Sequence, residues 1–77
     1  MAKVIIFTTP SCVYCKMTKE FFKKNSVAYE EKDVASDAAA RDDMLARSGQ
    51  LGVPVIDIDG KIVIGFDQAR LKELLGL

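Results

Sequence analysis

The stretch "VPVIDIDGKIVIG" constrains the fold of this chain more than any other segment. Two β-rich runs, Val55–Ile58 and Lys61–Ile64, flank Asp59-Gly60, a pair that suits the left-handed residues of a type I′ turn. The two runs must therefore be antiparallel neighbours. Upstream, "KVIIFT", Lys3 to Thr8, is a continuous apolar run ended by the turn residues Pro10 and Ser11, and it reads as a strand buried on both faces. From Val13 the period becomes helical: Val13, Met17 and Phe21 share one face, Phe22 widens it, and Lys16, Lys19, Glu20, Lys23 and Lys24 fall elsewhere. Asn25 stops this helix, with Lys23 and Lys24 in the last turn where the macrodipole favours positive charge.

"VAYEEKDV", Val27 to Val34, alternates only in part and reads as a second strand. Ser36 or Asp37 then caps a second helix that Gly49 ends, and Asp67 caps a third whose stripe is Phe66, Ala69 or Arg70, Leu71, Leu74 and Leu75. The order β-α-β-α-β-β-α predicts an α/β fold. A parallel pair joined by a right-handed crossover precedes the hairpin, and three helices flank a four-stranded mixed sheet.

Seventy-seven residues give one small domain, 1–77, that buries somewhat over ~60% of its unfolded surface. Eleven basic and eleven acidic side chains cancel, so the broad field that draws nucleic acid or an anionic membrane is missing and neither partner is expected. The four-residue apolar run near the amino terminus falls short of the roughly 7 to 15 residues of a secretory signal, and no stretch approaches the ~20 that span a bilayer. A cytoplasmic setting is the expectation. Structural disulfides are rare there, so two cysteines close together are better read as redox-active or metal-binding than as a staple.

Both cysteines lie in "TTPSCVYCKMTKEFF", three positions apart. Cys12 falls where the loop after the first strand enters the first helix, among backbone N–H groups without intrahelical partners and at the positive end of the macrodipole; both features stabilise a thiolate. Cys15, at i+3 on the same side, is placed to attack a mixed disulfide on Cys12. Two small core residues are the bland alternative, since free cysteine packs as a small hydrophobe. A closed zinc shell needs about four ligands, which a monomer with two cysteines and no histidine does not supply.

Three motifs, "CVYC" at 12–15, "GVP" at 52–54 and "GFD" at 65–67, in this order and spacing, make the chain resemble a glutaredoxin-type member of the thioredoxin superfamily over essentially its whole length. The resemblance implies a thioredoxin-like fold and a dithiol oxidoreductase that reduces protein disulfides or glutathione mixed disulfides, with Cys12 and Cys15 as the reacting pair. It implies a cis proline at Pro54 facing the dithiol, Val53 pairing its backbone with an extended substrate, Tyr14 flanking the substrate groove, and Gly65, Phe66 and Asp67 at the glutathione end. No tightly bound cofactor or metal is implied. Glutathione is the implied co-substrate, the partners are disulfide-containing proteins and a glutathione or thioredoxin reductase system, and a monomer is expected.

The departures matter as much. Thioredoxins proper carry a buried carboxylate and a tryptophan where Ile6 and Ser11 stand here. Val13 replaces the proline usual after the first cysteine of glutaredoxins, Thr9 replaces a lysine that holds the glycyl carboxylate of glutathione, and Phe66 replaces the second glycine of a pair. Arg41, Arg47 and Lys16 are the candidates to replace the lost cation. These changes keep open a ribonucleotide-reductase-type redoxin recycled by thioredoxin reductase. A glutathione-dependent iron–sulfur carrier is the other alternative, since some glutaredoxins dimerise around a two-iron cluster.

Overall fold

The structure, a computed structural model, describes residues 2–77. Its elements run β1 (Val4–Thr8), α1 (Val13–Lys24), β2 (Glu30–Asp33), α2 (Ala38–Ser48), β3 (Val55–Ile58), β4 (Lys61–Ile64) and α3 (Gln68–Leu75). They form one four-stranded sheet in the order β2-β1-β3-β4. β1 is parallel to β2 and antiparallel to β3, and β3 is antiparallel to β4. This is the mixed sheet the element order predicts.

The hairpin turns as its residues require: Asp59 and Gly60 both take positive φ, 53° and 89°. The Asp59 side chain also accepts the Lys3 N–H at 2.8 Å, and the Asp59 N–H donates to the Lys3 carbonyl at 3.0 Å, so the turn is tied to the start of β1. Every residue of β1 is buried, as its unbroken apolar run implies. Successive side chains of β1 point to opposite faces. Val4 and Ile6 join Phe21 and Phe22 of α1 and Leu71 of α3, while Ile5 and Phe7 join Ala40 and Met44 of α2.

Two expectations are corrected. The second strand begins at Glu30 rather than Val27, and it is the charged segment EEKD at the sheet edge. Val27 and Tyr29 pack instead against the core from the connection, and the strand's charges are met by ion pairs: Lys19 with Glu31 at 2.9 Å, and Lys32 with Asp43 at 3.4 Å. On α1, Val13 (67% exposed) and Met17 lie at the surface, so the expected stripe buries only its Phe21 and Phe22 end. The buried face runs Cys15, Thr18, Phe21 and Phe22. Thr18 fits there because its hydroxyl donates to the Tyr14 carbonyl at 2.8 Å, so no polar atom is left unpaired.

The caps agree with the sequence. Asp37 and Asp67 each accept the N–H three residues on, from Ala40 and Arg70, at 3.1 Å. Gly49 closes α2 with φ 74°, a conformation that a side chain would strain. In α3 the buried position is Leu71, with Leu74 and Leu75 partly buried, while Ala69 and Arg70 face outward. Among the described residues, no helix is long and apolar enough to cross a membrane.

Candidate active site

β1 delivers the chain to Thr8, and the loop 9–12 turns it into α1, with the Cys12 N–H bonded to the Thr9 carbonyl at 3.3 Å. Cys12 is the N-cap of α1. Its backbone is extended (φ −84°, ψ 112°), and its Sγ accepts the Cys15 N–H at 3.1 Å. Sulfur thus takes the role that a serine or aspartate oxygen usually plays at a helix start, and one of the helix's unpaired N–H groups points at it. Negative charge on that sulfur meets a donor already in place.

The two cysteines, both free thiols, differ in their surroundings. Cys12 is partly exposed, whereas Cys15 is 1% exposed, inside the first turn of the helix. Burial pushes the Cys15 thiol up to about 12, helped by its hydrogen bond and charge interaction with Cys12; the Thr9 backbone and the Lys19 ammonium pull the other way. At neutral pH Cys15 is therefore protonated, and the pair offers one accessible sulfur and one sheltered thiol.

The remaining predicted residues are placed as follows. Tyr14 stands 61% exposed on the first turn of α1. The Val53-Pro54 peptide is cis, Pro54 is buried, and Val53 is partly buried against the α2-side core. The Pro54 carbonyl accepts the Gly65 N–H at 2.8 Å, which joins the "GVP" and "GFD" segments directly. Phe66 turns its ring edge-on to Phe21 of α1, with centroids 6.0 Å apart, and so is drawn into the core. Asp67 is occupied in capping α3. Of the three candidate replacement cations, Arg47 is committed to Asp43 at 2.8 Å and Asp57 at 2.7 Å, while Lys16 and Arg41 are exposed.

Sequence reasoning missed a second set of residues near the dithiol. The Glu31 Oε2 atom accepts both the Thr8 hydroxyl at 2.8 Å and the Lys19 ammonium at 2.9 Å. These residues come from β1, α1 and β2 and share no sequence spacing. The one available cue was Lys19 standing four positions after Cys15, one turn along the same helix. Among the described residues, no group of three or more His, Cys, Asp or Glu gathers as a metal shell.

A sheet of this order, with a dithiol at the head of its first helix, defines a redoxin of the thioredoxin fold. The glutaredoxin family model matches residues 4–63, and the chain belongs to that family, whose members are thiol–disulfide oxidoreductases. It is 43% identical over 70 residues to a glutaredoxin-like 8.6 kDa protein of the rubredoxin operon of Clostridium pasteurianum, covering 91% of this chain and 93% of that one. It is 37% identical over 76 residues to glutaredoxin 3 of Escherichia coli K12, covering 99% and 92%. Among solved structures it superposes on the T8A variant of the thioredoxin-like protein BC3987 with a TM-score of 0.92 and 43% identity, covering 99% of this chain and 97% of that one.

Proposed function

We propose that this protein reduces disulfides, in proteins or as glutathione mixed disulfides, through Cys12 and Cys15. The observation that carries the reading is the division of labour in the dithiol: a partly exposed Cys12 sulfur that accepts an N–H at 3.1 Å, beside a Cys15 thiol held protonated by burial. Cys12, as thiolate, attacks one sulfur of the substrate. The substrate S–S bond breaks, and its other sulfur leaves with the electron pair and takes up a proton. Cys15 then loses its proton and attacks the Cys12 sulfur, expelling the remaining substrate thiolate and leaving a Cys12–Cys15 disulfide. Two electrons from a reductant reset the pair. Tyr14 and the Val53-Pro54 segment form the docking surface in this reading, and the chain works as a monomer in the cytoplasm.

Cys12→Ser abolishes disulfide reduction, whereas Cys15→Ser still attacks but stays bonded to its partner, a covalent adduct visible by intact mass. A Cys12→Ser variant that turns over substrate sinks the reading.

Glutathione is the reductant the family suggests. A second reading, recycling by a flavin-dependent thioredoxin reductase as in ribonucleotide-reductase-type redoxins, is supported by the glutathione end of the site. Thr9 offers no cation, Phe66 is packed on Phe21, Arg47 is taken by two carboxylates, and the Asp67 carboxylate sits on the helix N-terminus where an incoming carboxylate would bind. Turnover with glutathione and its reductase, compared with turnover with thioredoxin reductase, both fed by NADPH, decides between the two.

A further inference from the structure

Once Cys12 carries the substrate in a mixed disulfide, the next step falls to Cys15, a buried thiol that must ionise before it can attack. One of the influences that hold it protonated, the charge interaction with Cys12, depends on an ionisable Cys12 sulfur and is lost when that sulfur is bonded. Burial remains. What opposes it comes from the Thr9 backbone and from Lys19.

Lys19 is placed for this. It follows Cys15 by four residues, so the two share a face of α1 one turn apart, and helical side chains lean toward the helix amino end, the direction of Cys15. Its ammonium does not swing freely, because Glu31 Oε2 holds it at 2.9 Å and is itself fixed by the hydroxyl of Thr8, which is buried at the end of β1. β2 runs in register with β1, Ile6 beside Glu31, so the carboxylate stands on the α1 side of the sheet. The Lys19 side chain is 26% exposed and that of Glu31 39%, so solvent and the Glu31 carboxylate screen the ammonium only in part on the side that faces the buried end of α1. The Lys19 ammonium feels Glu31, Tyr29 and Cys15; Glu31 feels Lys19 and Asp33; Cys15 feels Cys12 and Lys19.

We propose that Lys19, anchored by Glu31 and Thr8, is a positioning residue for the resolving step, holding a positive charge against Cys15 so that its sulfur ionises while the substrate is bonded to Cys12. The proton leaves Cys15 to solvent, the Cys12–Cys15 bond forms as the bond from Cys12 to the substrate breaks, and the expelled thiolate takes a proton in turn. Lys19 itself neither gains nor loses one. The inference rests on the two-cysteine reading above.

Mixing the reduced protein with an aromatic disulfide whose thiol is coloured separates the two steps, since attack by Cys12 releases one coloured thiol and resolution by Cys15 a second. In Lys19→Met, and equally in Lys19→Gln, the first phase and its pH profile are expected to match the wild type. The second phase slows about tenfold near neutral pH and its profile moves to the alkaline side, the order of effect one partly screened charge supplies. Lys19→Arg restores it. A second phase with unchanged rate and pH profile in the charge-removing variants overturns the role of Lys19 while leaving the dithiol reading intact. A wild-type protein that never releases the second thiol overturns both.

Discussion

Cys15 is buried and protonated for a reason that also makes it a pH-dependent element of stability. Its thiol is raised from 9.0 to about 12 in the folded chain, so the unfolded chain releases this proton first as pH rises. The contribution is fully present below pH 9.0 and is lost progressively between 9.0 and about 12. Lys19, also raised by its bond to Glu31, loses its share in the alkaline range too, so the Cys15 part must be isolated by difference. Under reducing conditions, Cys15→Ser is expected to show a shallower fall of urea-unfolding free energy with pH across that window than the wild type. Parallel curves would count against the burial argument. Reading the sequence could place Cys12 and Cys15 together at the head of α1 because a strand-to-helix junction and a three-residue spacing are local signals. It could not identify the Thr8–Glu31–Lys19 set, whose members meet only after β1, α1 and β2 have assembled.

Helix ends tell the same story at the scale of elements. Asp37 and Asp67 were legible as caps because a short acid before a run of helix formers satisfies orphan N–H groups. In the glutathione reading proposed above, the Asp67 cap also carries charge into the region where a glutathione carboxylate would have to bind. Asp67→Asn keeps the side-chain acceptor and removes the charge. It should change the melting temperature little, since aspartate and asparagine cap about equally well, yet lower the KM for glutathione severalfold in a coupled glutathione-reductase assay. An unchanged KM would mean that the cap's charge does not set glutathione affinity. The face of α1 was misread because Val13 and Met17 keep apolar side chains at the surface beside the dithiol, so hydrophobic period alone could not separate a core stripe from an exposed one. β2 falls inside the segment the sequence points to, Val27 to Val34, but is shorter at both ends, because at a sheet edge the charged run Glu30–Asp33 pairs without burial while Val27 and Tyr29 pack on the core outside the ladder.

Across the whole molecule, α1 and α3 cover one face of the sheet and α2 the other, and the α2 side is held by charge as well as by apolar contact. Asp57, 5% exposed on β3, one of the two central strands, accepts from Arg47 of α2 at 2.7 Å and from the Gly60 N–H at 2.7 Å; Arg47 also reaches Asp43, which reaches Lys32 of β2. Replacing Asp57 by alanine removes the partner of Arg47 and the acceptor of Gly60 together. The expected cost is about 2 kcal/mol, or a fall of roughly 10 °C in melting temperature for a domain of this size. Activity per folded molecule should hold, because this cluster lies on the opposite side of the sheet from α1. A melting temperature within a degree or two of wild type would show the cluster to be dispensable. Fold order and hairpin register were legible from the sequence, since turn chemistry and strand length are written locally. The ionic cluster was not, because its members are drawn from three elements and each reads alone as a solvated charge.

Cys12 stands just outside α1, in extended backbone, while Cys15 is locked within the first helical turn. Any travel needed to bring sulfur to sulfur, or to part them again, therefore falls to the short run from Thr9 to Cys12, which two 3.3 Å backbone hydrogen bonds hold, Cys12 N–H to the Thr9 carbonyl and Lys16 N–H to the Cys12 carbonyl, with the rest of the helix serving as an anvil. In the two-cysteine reading proposed above, closing and opening the disulfide is work for this loop beside a fixed helix.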